Sequence, residues 1–322
     1  MTIMNLLSRL PAAAAQGILW GIMALGVYIT FRVLNLADMT VDGSFATGGA
    51  VSVMLIIAGC PAWAAVLAAF AAGLAAGMVT GLLHTRLKIP AILAGILTQF
   101  SLYSINLRIM GMRANQSANL KNYGMFFENG RGFLVSSRYI PQALAVGAVM
   151  SVITVLALYW YFGTEQGSAV RATGCNPDMS RAQGINVDNM KVLGLALSNG
   201  IVALAGALMT QFQGTADVNM GRGSIVIGLA AIVIGEVLCD ALFSKGSNFA
   251  VRLGFVVIGG VIYYAAMTVI LWLKLDPNDL KLFTAIIVAL FLAVPNLKQQ
   301  AENSFSRAGK RSLRQRGGSN DA

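Results

Sequence analysis

Six polar side chains sit inside otherwise apolar stretches, and they carry most of the chemistry this sequence offers: Asp38, Asp42, Gln99, Tyr103, Asn106 and Glu236. A carboxylate in hydrocarbon is costly, so it pairs, binds a proton or cation, or faces a water-filled path. Gln99, Tyr103 and Asn106 recur at i, i+4 and i+7, which places two amides and a phenol on one helical face. Such a stripe either lines a path for a polar solute or hydrogen-bonds to a neighbouring helix. Asp38 and Asp42 share a helical face or sit in a broken segment, where they would accept from backbone donors freed by the break. Asp240 follows Glu236 by four residues, and either acid pair is compatible with a purely structural role.

Catalytic constellations are missing. The single histidine, His84, lies beside Arg86 and Lys88 at the end of an apolar block, the place of an interfacial snorkelling side chain rather than of a base. Cys60, Cys175 and Cys239 are far apart, without metal or disulfide spacing, and read as small packing residues. No Gly-x-x-x-x-Gly-Lys-[Ser/Thr] occurs, and Gly221-Arg222-Gly223-Ser224 has neither the spacing nor the lysine of a phosphate-cradling loop. The chain is therefore read as no enzyme, with no cofactor or metal of its own. If ATP and magnesium power it, a separate polypeptide binds them.

The elements that must position these residues are membrane helices. Hydrophobic residues make up 57% of the 322 positions, charged ones only 11%, and the mean hydropathy is +0.70. Soluble domains carry about a quarter charged residues. The apolar blocks have the length of about 17–25 residues that a helix needs to cross a bilayer, without the alternation of outer-membrane strands. The fold class is all-α, a polytopic transmembrane bundle of about nine spans at 12–33, 44–60, 62–84, 90–109, 141–162, 192–213, 225–244, 249–272 and 282–297. A broken or re-entrant segment around 35–43 would change the number to eight or ten. Residues 1–11 are expected to form an interfacial segment without the pattern of a cleaved leader, 12–297 the membrane domain, and 298–322 a basic tail.

Lys298, Arg307, Lys310, Arg311, Arg314 and Arg316 place that tail in the cytoplasm by the positive-inside rule, and an odd number of spans leaves the N-terminus outside. The net charge of +10 is spread over joints between spans, which is a signal of topology and lipid headgroups and argues against nucleic acid as a partner. Gly73, Gly77 and Gly81 form a small-residue stripe on the third span, where another helix backbone can approach closely.

Residues 163–191 are too polar to span and too punctuated for a linker. Gly174 suits a left-handed stop, Asn176 a cap, Pro177 the first position of a short helix, Asp178 its dipole, and Gly184 its end. A helix of about two turns is marginal alone in water, so it is expected to dock on another subunit. The long loop 111–140, with Arg113, Lys121, Tyr123, Phe126, Phe127, Glu128 and Arg131, is expected to be external and to suit docking of a binding protein.

The run Arg171-Ala-x-Gly174-x-Asn176-Pro177-x-x-x-Arg181-Ala-x-Gly184-Ile-Asn186-Val resembles the cytoplasmic coupling loop of ABC importer permeases of the branched-chain amino acid and ribose type. Ser180 stands where many relatives have alanine. Leu36-Ala-Asp38-Met-Thr40-Val-Asp42-Gly43, Leu102-Tyr103-Ser-Ile-Asn106-Leu-Arg108, Ala216-Asp217-Val-Asn219-Met-Gly221 and Ile225 to Glu236 are similar to a narrower group, suggested to import tryptophan, tyrosine or related solutes. The resemblance covers about residues 15–297. It implies a permease subunit of the bacterial inner membrane that works as two copies, with cytoplasmic ATP-binding subunits and a periplasmic or lipoprotein substrate-binding protein as partners. It also implies that Arg171, Gly174, Asn176, Pro177, Arg181 and Gly184 couple to the ATPase. Asp38, Asp42, Gln99, Tyr103, Asn106 and Glu236 are the pathway candidates. Two other readings stay open from the residues alone: an ion-coupled secondary transporter using the buried carboxylates, and a membrane scaffold without flux.

Overall fold

The computed structural model describes residues 3–118, 124, 133–243, 248–272, 286 and 289. Within its larger unit, Met1–Lys274, the helices are α1 Ile3–Tyr28, extended by a π-helical turn Ile29–Val33, α2 Thr40–Ile57, α3 Ala62–Thr85, α4 Ala91–Ile109 and α5 Ile140–Gly163. They continue as α6 Glu165–Cys175, α7 Pro177–Ala182, α8 Val187–Gln213, α9 Ser224–Leu242 and α10 Phe249–Trp272. The only sheet among the described residues is a two-stranded antiparallel ribbon of β1 Asn115–Ser117 and β2 Thr215–Asp217, with Gln116 opposite Ala216. Eight of the helices, all but α6 and α7, are long and apolar enough to cross a membrane.

These bounds follow the expected spans closely, with three differences. First, α1 starts at Ile3 and runs through Pro11, taking in the segment expected to be interfacial. Second, α2 starts at Thr40 rather than 44, where Asp38 accepts from the Thr40 N–H, and α8 starts at Val187 rather than 192, where Asn186 caps it through the Asn189 N–H. Third, the ninth expected span, 282–297, and the basic tail lie outside the described residues, apart from helical Ile286 and Ala289 in the second unit, Leu275–Ala322.

The bundle has an interior and a rim. Helices α1, α2 and α8 are mostly buried, and α3, α4, α5, α9 and α10 surround them with large apolar side chains turned outward, such as Leu67, Leu97, Val152 and Leu156. A soluble protein would not tolerate that surface, whereas lipid is as apolar as the side chains themselves. Tight packing therefore relies on shape. The Gly73–Gly77–Gly81 stripe of α3 lies on α8, where a β-carbon at Gly77 would stand 2.2 Å from the carbonyl oxygen of Leu195. Gly77→Leu is accordingly expected to cost about 3 kcal/mol or more, the upper end of the overpacking range. Thermal unfolding in detergent checks this, with Gly254→Leu, at a site with open space, as the unchanged control.

Candidate functional site

The sequence break between α1 and α2 builds the first half of the site. The π-turn ends with Leu34 N–H on the Ile29 carbonyl and Leu36 N–H on the Thr30 carbonyl. Asn35 then takes a left-handed conformation, φ 54°, and the chain runs without regular structure to the turn at Met39 that opens α2. Helix α2 thus begins within the bundle, with Thr40 and Val41 fully buried. The orphan donors of such a start need partners away from water. Asp38 supplies one: its Oδ1 accepts from Thr40 N–H at 2.9 Å and its Oδ2 from Asn199 Nδ2 at 2.7 Å. Asn199 Oδ1 in turn accepts from Ser44 at 2.7 Å, the Thr40 hydroxyl lies 2.8 Å from that of Thr80, and the Thr80 hydroxyl donates to that of Thr98 at 2.9 Å. Asp38 is a latch among α2, α3, α4 and α8 rather than a solvent-facing acid.

Asp42, one turn further, reaches another helix start. Its Oδ2 accepts from Gly223 N–H at 3.0 Å, and its Oδ1 from the Ser224 hydroxyl at 2.8 Å and Ile225 N–H at 3.1 Å. A carboxylate from α2 thereby caps the N-terminus of α9, where the helix dipole favours negative charge. The close fit is enforced by Gly221, where a β-carbon would fall 1.9 Å from the Asp42 carbonyl oxygen.

Beside this junction opens a cavity of about 400 Å³ lined by Asp42, Gly43, Gln99, Phe100, Tyr103, Asn106, Val218, Asn219 and Arg222. Four of the six pathway candidates, Asp42 from α2 and Gln99, Tyr103 and Asn106 from α4, therefore border one cavity. Asn106 is 1% exposed, and neither its amide nitrogen nor its oxygen has a hydrogen-bond partner among the described residues. Asp38 and Glu236 are elsewhere: Glu236 accepts from Arg32 Nε at 2.7 Å, and Asp240 pairs with Arg252 at 3.5 Å. Arg222 and Asn219 were not among the expected site residues. Their signal is a lone arginine between two glycines in a short joint flanked by full-length spans.

The second half of the site is the α6–α7 corner. Asn176 Oδ1 accepts from Asp178 N–H at 3.1 Å and Met179 N–H at 3.0 Å, and Pro177 is the first residue of α7. The helix closes with Gly184, φ 81°, through Gly184 N–H on the Arg181 carbonyl and Ile185 N–H on the Ser180 carbonyl, both at 3.0 Å, a Schellman arrangement. Arg181 lies 3.5 Å from Asp178 and 3.9 Å from Asp188, so α7 is linked to α8, and Asp188 also lies 3.6 Å from Lys88 beyond the end of α3. Asn176, Asp178, Met179, Arg181 and Gln183 face outward, and Ser180 faces in.

One expected role in this corner is corrected, and one motif residue is placed apart from the others. Gly174 is not a left-handed stop. It lies within α6, where a β-carbon would meet the Val33 carbonyl oxygen at 1.8 Å, so the glycine permits close approach to the end of the π-turn. Arg171 does not face outward with Arg181. Its guanidinium folds back over the rings of Phe162 and Phe249, at 5.3 and 4.6 Å, and donates from Nη2 to the Phe162 carbonyl. His84 is likewise occupied, its Nδ1 2.8 Å from the Ile89 carbonyl oxygen. Of the cysteines, Cys239 is buried but Cys175 is exposed, against the packing role expected for all three. In the loop 111–140 only Arg113 of the expected docking residues is described, and it is exposed.

With this geometry in place the comparisons are decisive. The profile of the family described as branched-chain amino acid transport system / permease component matches residues 10–295. The chain belongs to this permease family. A tyrosine transport system permease protein of Clostridioides difficile is 37% identical over 291 residues, covering 90% of this chain and 92% of the relative. A ribose import permease protein of Haemophilus influenzae is 24% identical over 74% of this chain and 71% of its own length. Among solved structures, PsaBC from Streptococcus pneumoniae in complex with Fab shares the fold, with a TM-score of 0.50 at 14% identity over 91% of this chain and 95% of that one. The permease is thus a multi-pass membrane protein and a transport component of an ABC importer. Its family gives no reason to assign it a catalytic reaction.

Proposed function

We propose that this permease forms, as two copies in the bacterial inner membrane, the pathway of an ATP-driven importer for a small polar solute, an amino acid or a related compound. Cytoplasmic ATP-binding subunits dock on α7, a periplasmic or lipid-anchored binding protein delivers the solute outside, and the C-terminal tail faces the cytoplasm. The observation that carries the reading is the cavity in which Asp42, Gln99, Tyr103, Asn106 and Arg222 converge beside the starts of α2 and α9. The starts of α2 and α9 are already taken by Asp38 and Asp42, so Arg222 is the cavity group that favours an anionic part of the solute, and side-chain amides and a phenol discriminate its polar atoms. The carboxylates do not form one ion path: Asp38, Asp42 and Glu236 are each committed to a different set of donors. That arrangement disfavours the ion-coupled alternative.

Uptake into proteoliposomes tests the proposal. Accumulation that persists with an ion gradient but without ATPase or ATP would sink it. Asn106→Leu removes an amide that has no hydrogen-bond partner among the described residues, so stability and assembly should be unchanged or slightly improved. Solute uptake should fall by about tenfold, the equivalent of one lost hydrogen bond of roughly 1.4 kcal/mol. Gln99→Leu should act in the same direction, and wild-type uptake by both variants would relegate the stripe to packing.

A further inference from the structure

Arg171 is a cation in want of an anion. No carboxylate among the described residues lies within ion-pairing distance of it, and its Nε is enclosed without a protein partner. The rings of Phe162 and Phe249 and the Phe162 carbonyl engage its other atoms. Cation–π contact at this depth offsets only part of what a guanidinium loses on leaving water.

The guanidinium borders a cavity of about 490 Å³ whose other walls are Tyr159, Trp160, Gly163, Thr164 and Phe249. Three features of this cavity point to one ligand. Helix α10 starts at Phe249, so the N–H groups of its first turn, which no helical carbonyl can take, begin at the cavity wall and favour an anion. Tyr159 and Trp160 are 50% and 74% exposed at the last turns of a membrane span, the position at which aromatic side chains sit among lipid headgroups. Above them Leu156 and Ile153 continue the same outward stripe of α5, at i−4 and i−7 from Trp160. A cation in a cavity, an aromatic rim and an apolar track follow one another in the order of a phospholipid.

We propose that this cavity binds the phosphate of an anionic phospholipid of the cytoplasmic leaflet, against Arg171, with an acyl chain along Trp160, Leu156 and Ile153. The leaflet rests on the orientation given under Proposed function; the binding chemistry does not. Anionic lipid there would tie α5, α6 and α10 together at the base of the α6–α7 corner.

Native mass spectrometry of the full-length protein, titrated with phosphatidylglycerol or phosphatidylcholine, tests the site. About tenfold stronger retention of phosphatidylglycerol is expected. Trp160→Ala, which leaves Arg171 in place, should weaken retention. Gly163→Glu, at a residue with open space around it, supplies a carboxylate for Arg171 and should abolish the preference without unfolding the protein. Equal retention of both lipids by the wild type would overturn the proposal, as would a preference that survives Gly163→Glu in folded protein. If inorganic phosphate at millimolar concentration competes fully, the site takes free phosphate and the lipid assignment falls. If the wild-type preference appears only when the ATPase subunit is absent, the anion belongs to that subunit and the proposal also falls. Orientation is read separately from Cys175, which is exposed on α6, in a Cys60→Ser background. Labelling of Cys175 from outside sealed cells would reverse the leaflet and the orientation together, and leave the lipid preference standing.

Discussion

Asp42→Ala is expected to reduce solute uptake by about a hundredfold or more, the largest effect of any single change in the cavity. The carboxylate accepts from the exposed Gly223 N–H, the Ser224 hydroxyl and Ile225 N–H, and its removal leaves the two part-buried donors, the Ser224 hydroxyl and Ile225 N–H, without an acceptor at the start of α9. Each stranded donor costs about 1–3 kcal/mol when water cannot replace the acceptor, and about 1.4 kcal/mol corresponds to tenfold. The loss is local, because the same joint is also held by the β1–β2 ribbon, in which Asn115 stands opposite Asp217. Asp42→Asn keeps one carbonyl oxygen and should retain intermediate activity. Uptake and thermal unfolding measured on the same preparations separate the two contributions. An Asp42→Ala protein that transports like the wild type would remove the junction from the pathway, whatever its stability.

What the sequence made legible follows from what is local in it. The spans could be read because hydrocarbon thickness sets a length, and the α6–α7 corner because caps act within four residues: Asn176 on Asp178 and Met179, and Gly184 on Arg181. The stripe Gln99, Tyr103, Asn106 could be read from helical period alone. Partners across the chain could not. Asp42 meets residues 181 to 183 positions away, and Arg32 meets Glu236 across 204. No periodicity reports such pairings, and as carboxylates in apolar stretches Glu236 and Asp38 look no different in the sequence from the cavity residue Asp42. Gly174 shows the same limit in another form. Its glycine signal is real, but whether it serves a turn or a close approach depends on the Val33 carbonyl, which lies far back in the sequence.

Arg171 and Arg181 share a motif, and the structure separates their work. One is turned into the protein beneath two phenylalanine rings; the other is 55% exposed on α7 beside Met179, which is 59% exposed. An exposed methionine flanked by an arginine on a rigid, doubly capped turn is the kind of anchor that interfaces use. The paired substitution Met179→Asp and Arg181→Glu is therefore expected to abolish docking of the ATPase subunit and to lower solute-stimulated ATP hydrolysis by about thirtyfold or more, as loss of a central interface anchor does. The membrane bundle should remain intact, because the surface ion pairs of Arg181 with Asp178 and Asp188 are worth at most about 1 kcal/mol. Co-purification with the ATPase, ATP hydrolysis and thermal unfolding distinguish the outcomes. Unchanged hydrolysis in the double variant would place the coupling surface elsewhere. Loss of hydrolysis with retained co-purification would make α7 a lever that transmits closure without providing the grip, a role its short capped form, linked to α8 through Arg181 and Asp188, is built to serve.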